Sequence, residues 1–156
     1  MTEAIPVHRV GVIDVALDWQ AEASPERAWN AFFNDPQAWW PKEFRALGAD
    51  TRMRFAPTIG AQLIEENDEG ATLAWYTVFA LDPNKSVDLQ GALASRYGGP
   101  ATSLLHIEIA QGDGPGRCVV KMTDSLVGRL GPGTGKSVTD GWSAILGDGF
   151  VKSLAP

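Results

Sequence analysis

The stretch from Ser137 to Leu154 constrains this chain more than any other. Val138, Trp142, Ile145, Leu146, Phe150 and Leu154 recur at steps of three and four, the spacing of one helical face. Ser137, with Asp140 three residues on, reads as a capping box whose side chains satisfy the unpaired N–H groups of a first turn. At about 100° per residue, Gly149 and Ser153 fall inside the apolar stripe, whereas Gly141 and Gly147 fall off it. A helix carrying three glycines is weak alone, since each costs roughly 1 kcal/mol against Ala. It needs a large surface to lie on, and the preceding residues supply one that reads as an antiparallel sheet. The expected architecture is a sheet curled around a terminal helix, with space between them for a small molecule.

The chain in order supports this. Val15, Leu17, Trp19 and Ala21 alternate with Asp14, Ala16, Asp18 and Gln20, as in a half-buried strand. Ser24-Pro25-Glu26 then starts a helix with an N-cap serine, a proline in the first helical position and an acid in the first turn. Ala28, Trp29, Phe32 and Phe33 give that helix an apolar side. Asp35-Pro36 starts a second, short helix that Pro41 ends. From Thr51 onward the punctuation is that of strands: one around Met53 and Phe55, one over Gln62 to Glu66, and one over Thr72 to Leu81. The last of these is read with Leu73, Trp75, Thr77, Phe79 and Leu81 on one face. A strand carrying Val87, Leu89, Gly91 and Leu93 follows the turn Asp82-Pro83-Asn84. Thr102 to Ala110 and Arg117 to Val127 form a long hairpin, in which Leu105, Ile107 and Ile109 face Cys118, Val120 and Met122. Short turns rather than helical crossovers join the strands, so the sheet is antiparallel.

Length and charge bound the rest. At 156 residues one domain over 1–156 is expected, with 1–8 as a poorly ordered leader. The net charge of −6 argues against a nucleic-acid partner and against docking on an anionic membrane. No apolar run reaches the roughly 20 residues of a membrane span, and Met1 to Pro6 lacks the features of a signal peptide. With Cys118 as the single cysteine there is no internal disulfide, and the cytoplasm is the default compartment.

Three motifs in this order carry a family resemblance. Ala23-Ser24-Pro25-Glu26-Arg27-Ala28-Trp29 resembles the first-helix opening of the SRPBCC superfamily, which includes the START and birch-pollen-allergen-like proteins. Asp35-Pro36 followed by Trp39-Trp40-Pro41 resembles the second-helix signature of its branch named after the activator of the heat-shock chaperone ATPase. Thr139-Asp140-Gly141-Trp142, with Leu146 four residues later, is similar to that branch's last-helix signature. The resemblance spans about residues 12 to 155, and the loop Ala94 to Pro100 departs from the branch pattern. It implies an α+β helix-grip fold: a curved antiparallel sheet wrapped around a long C-terminal helix, with two short helices after the first strand and an apolar cavity inside. Lipid and hormone carriers and polyketide cyclases belong to that superfamily.

Motifs that might carry chemistry are few. Gly131-Pro132-Gly133-Thr134-Gly135-Lys136-Ser137 resembles a phosphate-binding loop, but Leu130 stands where the motif needs its first glycine, and too few residues follow for a parallel strand. It reads as a loop before a capped helix, without nucleotide hydrolysis. His8 and His106 have no second ligand at metal spacing, and His106 falls on the face opposite Leu105 and Ile107. Cys118 reads as a buried inert thiol. Glu65-Glu66 with Asp68-Glu69 reads as a solvated charge run beside a turn. No catalytic set, metal site or cofactor is expected.

Six tryptophans are the best functional lead. Each aromatic taken singly reads as ordinary core; as a set they read as the lining of a mostly apolar site. The candidate cavity residues are Trp40, Phe44, Trp75, Thr77, Phe79, Met122, Asp124, Trp142, Gly149 and Phe150. Thr77 and Asp124 are polar positions on apolar faces, and a buried polar group needs a partner in protein, water or ligand. Asp124 alternatively reads as a solvated residue near a strand end. Gly149 is expected to face the void, where leucine would be the ordinary core residue. The favoured function is binding of an apolar or amphipathic small molecule or lipid by a monomer or weak homodimer. The alternatives are a polyketide cyclase or aromatase type of enzyme drawing on Asp124, Tyr76 and His106, and a co-chaperone contacting a chaperone ATPase.

Overall fold

A computed structural model describes residues 5–156 of the chain. Of the expected leader, residues 1–4 lie outside the described residues, and 5–10 are exposed and carry no regular secondary structure. Strand β1 runs Gly11–Ala21, starting earlier than Val15 because it pairs along its whole length with β7. Helix α1 (Pro25–Asn34) opens as expected, with Arg27 N donating to Ser24 Oγ at 3.1 Å. The Arg27 guanidinium donates to the Leu154 carbonyl at 2.7 Å, tying the first helix to the end of the last. Helix α2 is one turn, Pro36–Trp39. There follow β2 (Arg52–Arg54), β3 (Gln62–Glu66), β4 (Thr72–Asp82), β5 (Ser86–Leu93), β6 (Ala101–Gln111) and β7 (Cys118–Gly128).

The seven strands form one antiparallel sheet in the order β1-β7-β6-β5-β4-β3-β2. This is the helix-grip architecture expected from the sequence, with a long C-terminal helix against the sheet. The β6–β7 hairpin has the expected register, Ile107 opposite Met122 and Ile109 opposite Val120, and all four are buried.

Strand β4 departs from its expected single apolar face. Its register slips against β3 at Trp75 and against β5 at Phe79. Each slip adds one unpaired residue, and a one-residue slip moves every later side chain to the other face. Tyr76 and Val78 therefore point inward and are buried, whereas Phe79 is 49% exposed.

The last helix also differs from its expected winding. Helix α3 starts at Thr134, not Ser137, and the N–H of Gly131 donates to Thr134 Oγ1 at 2.9 Å. Ser137 is therefore inside the helix, and Asp140 pairs with Lys136 rather than capping. From Ser143 to Val151 the helix widens to π winding, with bonds five residues apart. Buried positions then recur as Ile145 and Phe150, and as Leu146 and Val151. This rotation buries Gly147, which a 100° wheel puts off the stripe, and exposes Ser153, which the wheel puts on it. A Cβ on Gly147 would lie 2.8 Å from Trp19 Nε1.

Gly149 does not face a void. A Cβ there would overlap the Trp39 carbonyl oxygen and crowd the Pro41 ring. The glycine lets the chain after α2 lie directly on the last helix, close by the most aromatic part of the core. Phe32 stacks on Trp39 at 5.2 Å, and Phe150 meets both rings edge-on at 5.3 and 5.2 Å. Gly149→Leu is expected to lower stability by about 1–3 kcal/mol or more through overpacking. An unchanged midpoint in urea titration would show that the site has room.

Candidate functional site

The helix and the sheet part company near the start of α3. There they flank an open-mouthed cavity of about 830 Å³. Its walls are Leu73 to Tyr76 of β4, Gly91 to Leu93 of β5, Ala101 to Ser103 of β6, and Asp124, Leu126 and Val127 of β7. Val138, Gly141, Trp142 and Ile145 of the last helix close it, with Phe44 and Ala46 at one side. Ala94, Arg96, Tyr97 and Pro100 show that the loop after β5 shapes the cavity as well. The Arg96 guanidinium lies over the Tyr97 ring, and Arg129 donates to the Gly99 carbonyl at 2.6 Å, anchoring that loop to β7.

One polar chain crosses these apolar walls. The Tyr76 hydroxyl lies 2.7 Å from Ser103 Oγ, which donates to Asp124 Oδ1 at 2.6 Å; Trp142 Nε1 donates to Asp124 Oδ2 at 2.8 Å. Four elements contribute one side chain each: β4, β6, β7 and α3. Tyr76 has to reach across β5 to join, and Gly91 permits it. A Cβ on Gly91 would lie 2.8 Å from the Tyr76 ring and 2.7 Å from the Trp75 carbonyl oxygen. Asp124 is 2% exposed, so it is the polar group of an enclosed wall and not a solvated strand end. Burial raises its pKa above the usual carboxylate range, while the bonds from Ser103 and Trp142 pull the other way. Burial raises the Tyr76 pKa too, and the nearby Asp124 charge adds to the rise.

A second buried carboxylate shapes the wall. Glu65 is fully buried and accepts from the backbone N–H groups of Ala46 and Leu47, from Thr51 Oγ1 and from Trp75 Nε1, at 2.7–3.0 Å. It was expected in a solvated charge run; instead, alternation turns it inward with Leu63, and four donors compensate the burial. Its neighbours do meet solvent: Glu66 and Asp68 pair with Arg52, and Glu66 with Arg54 at 3.7 Å. Arg45, also buried, donates to the carbonyls of Gln37, Trp40, Ala49 and Thr51, so the chain between α2 and β2 is held from both sides.

Of the candidate cavity residues, the structure brings together Phe44, Trp75, Asp124 and Trp142. Trp40, Met122 and Phe150 are buried in the adjoining core, Trp40 with its ring 5.0 Å from Trp75. Thr77 bonds Gln62 at 3.3 Å on the outer face, Phe79 is displaced outward by the bulge, and Gly149 packs on the Trp39 carbonyl. Ser103, Gly91 and Gly141 were missed. Ser103 was legible in principle: it falls in phase with Leu105, Ile107 and Ile109, and the hairpin register puts it diagonal to Asp124. His106 pairs with Asp88 at 2.8 Å on the partly exposed outer face, away from Tyr76 and Asp124. Cys118 is fully buried, and burial raises its thiol pKa, as an inert thiol requires. Among the described residues no cluster of His, Cys, Asp or Glu is arranged to hold a metal, and no helix is long and apolar enough to cross a membrane.

No family model and no curated protein matches the chain. Solved structures do. An uncharacterized protein from Rhizobium leguminosarum is similar at TM-score 0.64 and 16% identity, over 92% of this chain and 95% of its own. Norcoclaurine synthase from Thalictrum flavum, a point mutant in complex with a transition-state analogue, is similar at TM-score 0.60 and 16% identity, over 94% and 96%. Ara h 8.0201 is similar at TM-score 0.60 and 14% identity, over 88% and 94%. The chain shares its helix-grip fold with these proteins.

The raised Asp124 pKa sets a pH dependence. The folded state favours the protonated carboxyl, so its contribution is fully present below the ordinary value of 3.8 and is lost as pH rises to the folded value. Asp124→Asn does not titrate. Its stability relative to wild type is therefore expected to climb across that window and level off above it, as urea midpoints from about pH 3.5 to 7.5 would read. A constant difference across the range would show that folding does not raise the Asp124 pKa.

Proposed function

We propose that this chain is a binding protein for an apolar or amphipathic small molecule, such as a lipid, held between the last helix and the sheet. The observation that carries the reading is the cavity of about 830 Å³ with one buried polar chain on largely apolar walls. Sites for small molecules have this size and make-up, a few placed polar groups in an apolar surround. We read the domain as a monomer or weak homodimer of the cytoplasm, in the SRPBCC superfamily. The second-helix and last-helix motifs support the finer placement in the branch named after the activator of the heat-shock chaperone ATPase.

A second reading has one observation in its favour. Asp124 is a cavity-facing acid with a raised pKa, joined to Tyr76 through Ser103, which is the kind of group that acid–base catalysis uses. Norcoclaurine synthase, similar in fold, is an enzyme. We favour binding because both Asp124 oxygens are already engaged by protein donors.

Gly141 provides the test. A Cβ there would meet only the Phe44 ring, at 3.9 Å, so a larger side chain would project into open space. Wild type is expected to bind the neutral fluorescent probe 1-N-phenylnaphthylamine saturably. Gly141→Leu should lose most of that binding while its melting temperature holds or rises by about 2–4 °C, since glycine is the poorer helix former. Unaltered probe binding in the variant would place the ligand elsewhere.

A further inference from the structure

The direction of the hydrogen bonds in the polar chain determines what kind of ligand the cavity accepts. Trp142 Nε1 can only donate, and it donates to Asp124 Oδ2. Ser103 has a single hydroxyl proton, committed to Asp124 Oδ1 at 2.6 Å. Ser103 Oγ is therefore the acceptor in its 2.7 Å contact with Tyr76, and the Tyr76 proton is committed to it. With the carboxylate ionised, every proton in the chain points toward Asp124. What remains at the Tyr76 end is a phenolic oxygen with acceptor capacity and no further partner in the chain, on a residue that lines the cavity.

Resting on the binding function proposed above, we propose that the cavity selects neutral apolar ligands bearing a hydrogen-bond donor, a hydroxyl above all, over isosteric ligands bearing only acceptors. A hydroxyl donates to Tyr76 Oη and completes the chain. A ketone of the same shape sets its oxygen against the Tyr76 lone pairs and gains nothing in exchange for its lost water. A carboxylate set against Tyr76 does worse, since it brings a second acceptor-only anion toward Asp124.

The chain can also be reversed by one substitution. In Asp124→Asn the Trp142 N–H still needs an acceptor, which fixes the amide oxygen on that side and the NH₂ toward Ser103. Ser103 Oγ then accepts from the amide, its own proton turns to Tyr76 Oη, and the Tyr76 proton is released toward the cavity. The wall becomes a donor without any change of shape.

The experiment is displacement of 1-N-phenylnaphthylamine by 2-undecanol and by 2-undecanone, at a pH high enough that the ratio of their affinities no longer changes, so that Asp124 with its raised pKa is ionised. Wild type is expected to bind the alcohol roughly three- to tenfold more tightly than the ketone, the net worth of one hydrogen bond. Tyr76→Phe should bring the two together by weakening the alcohol. Asp124→Asn should bring them together by strengthening the ketone, which a merely structural role for Asp124 would not do. Equal affinities in wild type, or a preference that survives Tyr76→Phe, would overturn the proposal while leaving the binding function standing. Absence of probe binding by wild type would overturn both. The wild-type and Tyr76→Phe arms decide the matter even if Asp124→Asn fails to fold.

Discussion

A single buried carboxylate holds the open end of this molecule together. Asp124 on β7 receives the indole N–H of Trp142 on the last helix and the hydroxyl of Ser103 on β6, and through Ser103 it is linked to Tyr76 on β4. Where apolar side chains fill the space between helix and sheet, packing sets their separation. At this end there is a cavity instead, so directional bonds do that work. An ionised carboxylate out of water is costly unless donors surround it, and the two aimed at Asp124 make its burial tolerable. Removal of either donor would leave one carboxylate oxygen without its partner.

The last helix thus has two jobs along its length. Its first part, with Val138, Gly141, Trp142 and Ile145, closes a cavity. Its second part, with Leu146, Phe150 and Leu154, is packed as tightly as any core segment. The glycines divide in the same way. Gly141 borders open space, whereas Gly147 and Gly149 admit the Trp19 ring and the Trp39 carbonyl. On the far side, Glu65 fixes the Trp75 indole and the chain at Ala46 and Leu47, so a second carboxylate steadies the wall that the first one spans.

Much of the fold was legible because it follows from simple periods. Alternation placed β1, β5, β6 and β7 with their inward faces, and Ser24-Pro25 and Asp35-Pro36 placed the first two helices. The misplaced parts are those where the period is interrupted. Of the two bulges in β4, the one at Trp75 exchanges the faces of Tyr76 and Thr77, and nothing in the local sequence marks either, since a bulge answers to the pairing strands. The π winding of Ser143–Val151 rotates Gly147 and Ser153 away from where a 100° wheel puts them. Glu65 was read by its charge; its inward phase with Leu63 was the better guide. The idea of a glycine facing a void was sound in kind and attached to the wrong glycine.

The π segment also joins those two parts in azimuth. In an α-helix, residues five apart are about 140° out of line. In this stretch Ile145 and Phe150 both turn inward, and so do Leu146 and Val151. The widened turns keep these i, i+5 pairs on the inner side, so one continuous helix runs from the Trp142–Asp124 contact into the aromatic core around Phe150. Deleting one residue from the segment without a change of winding would turn everything after it by roughly 100°, carrying Phe150 off the Phe32 and Trp39 rings. The length of this segment is thus as tightly specified as its composition, even at positions whose side chains touch little.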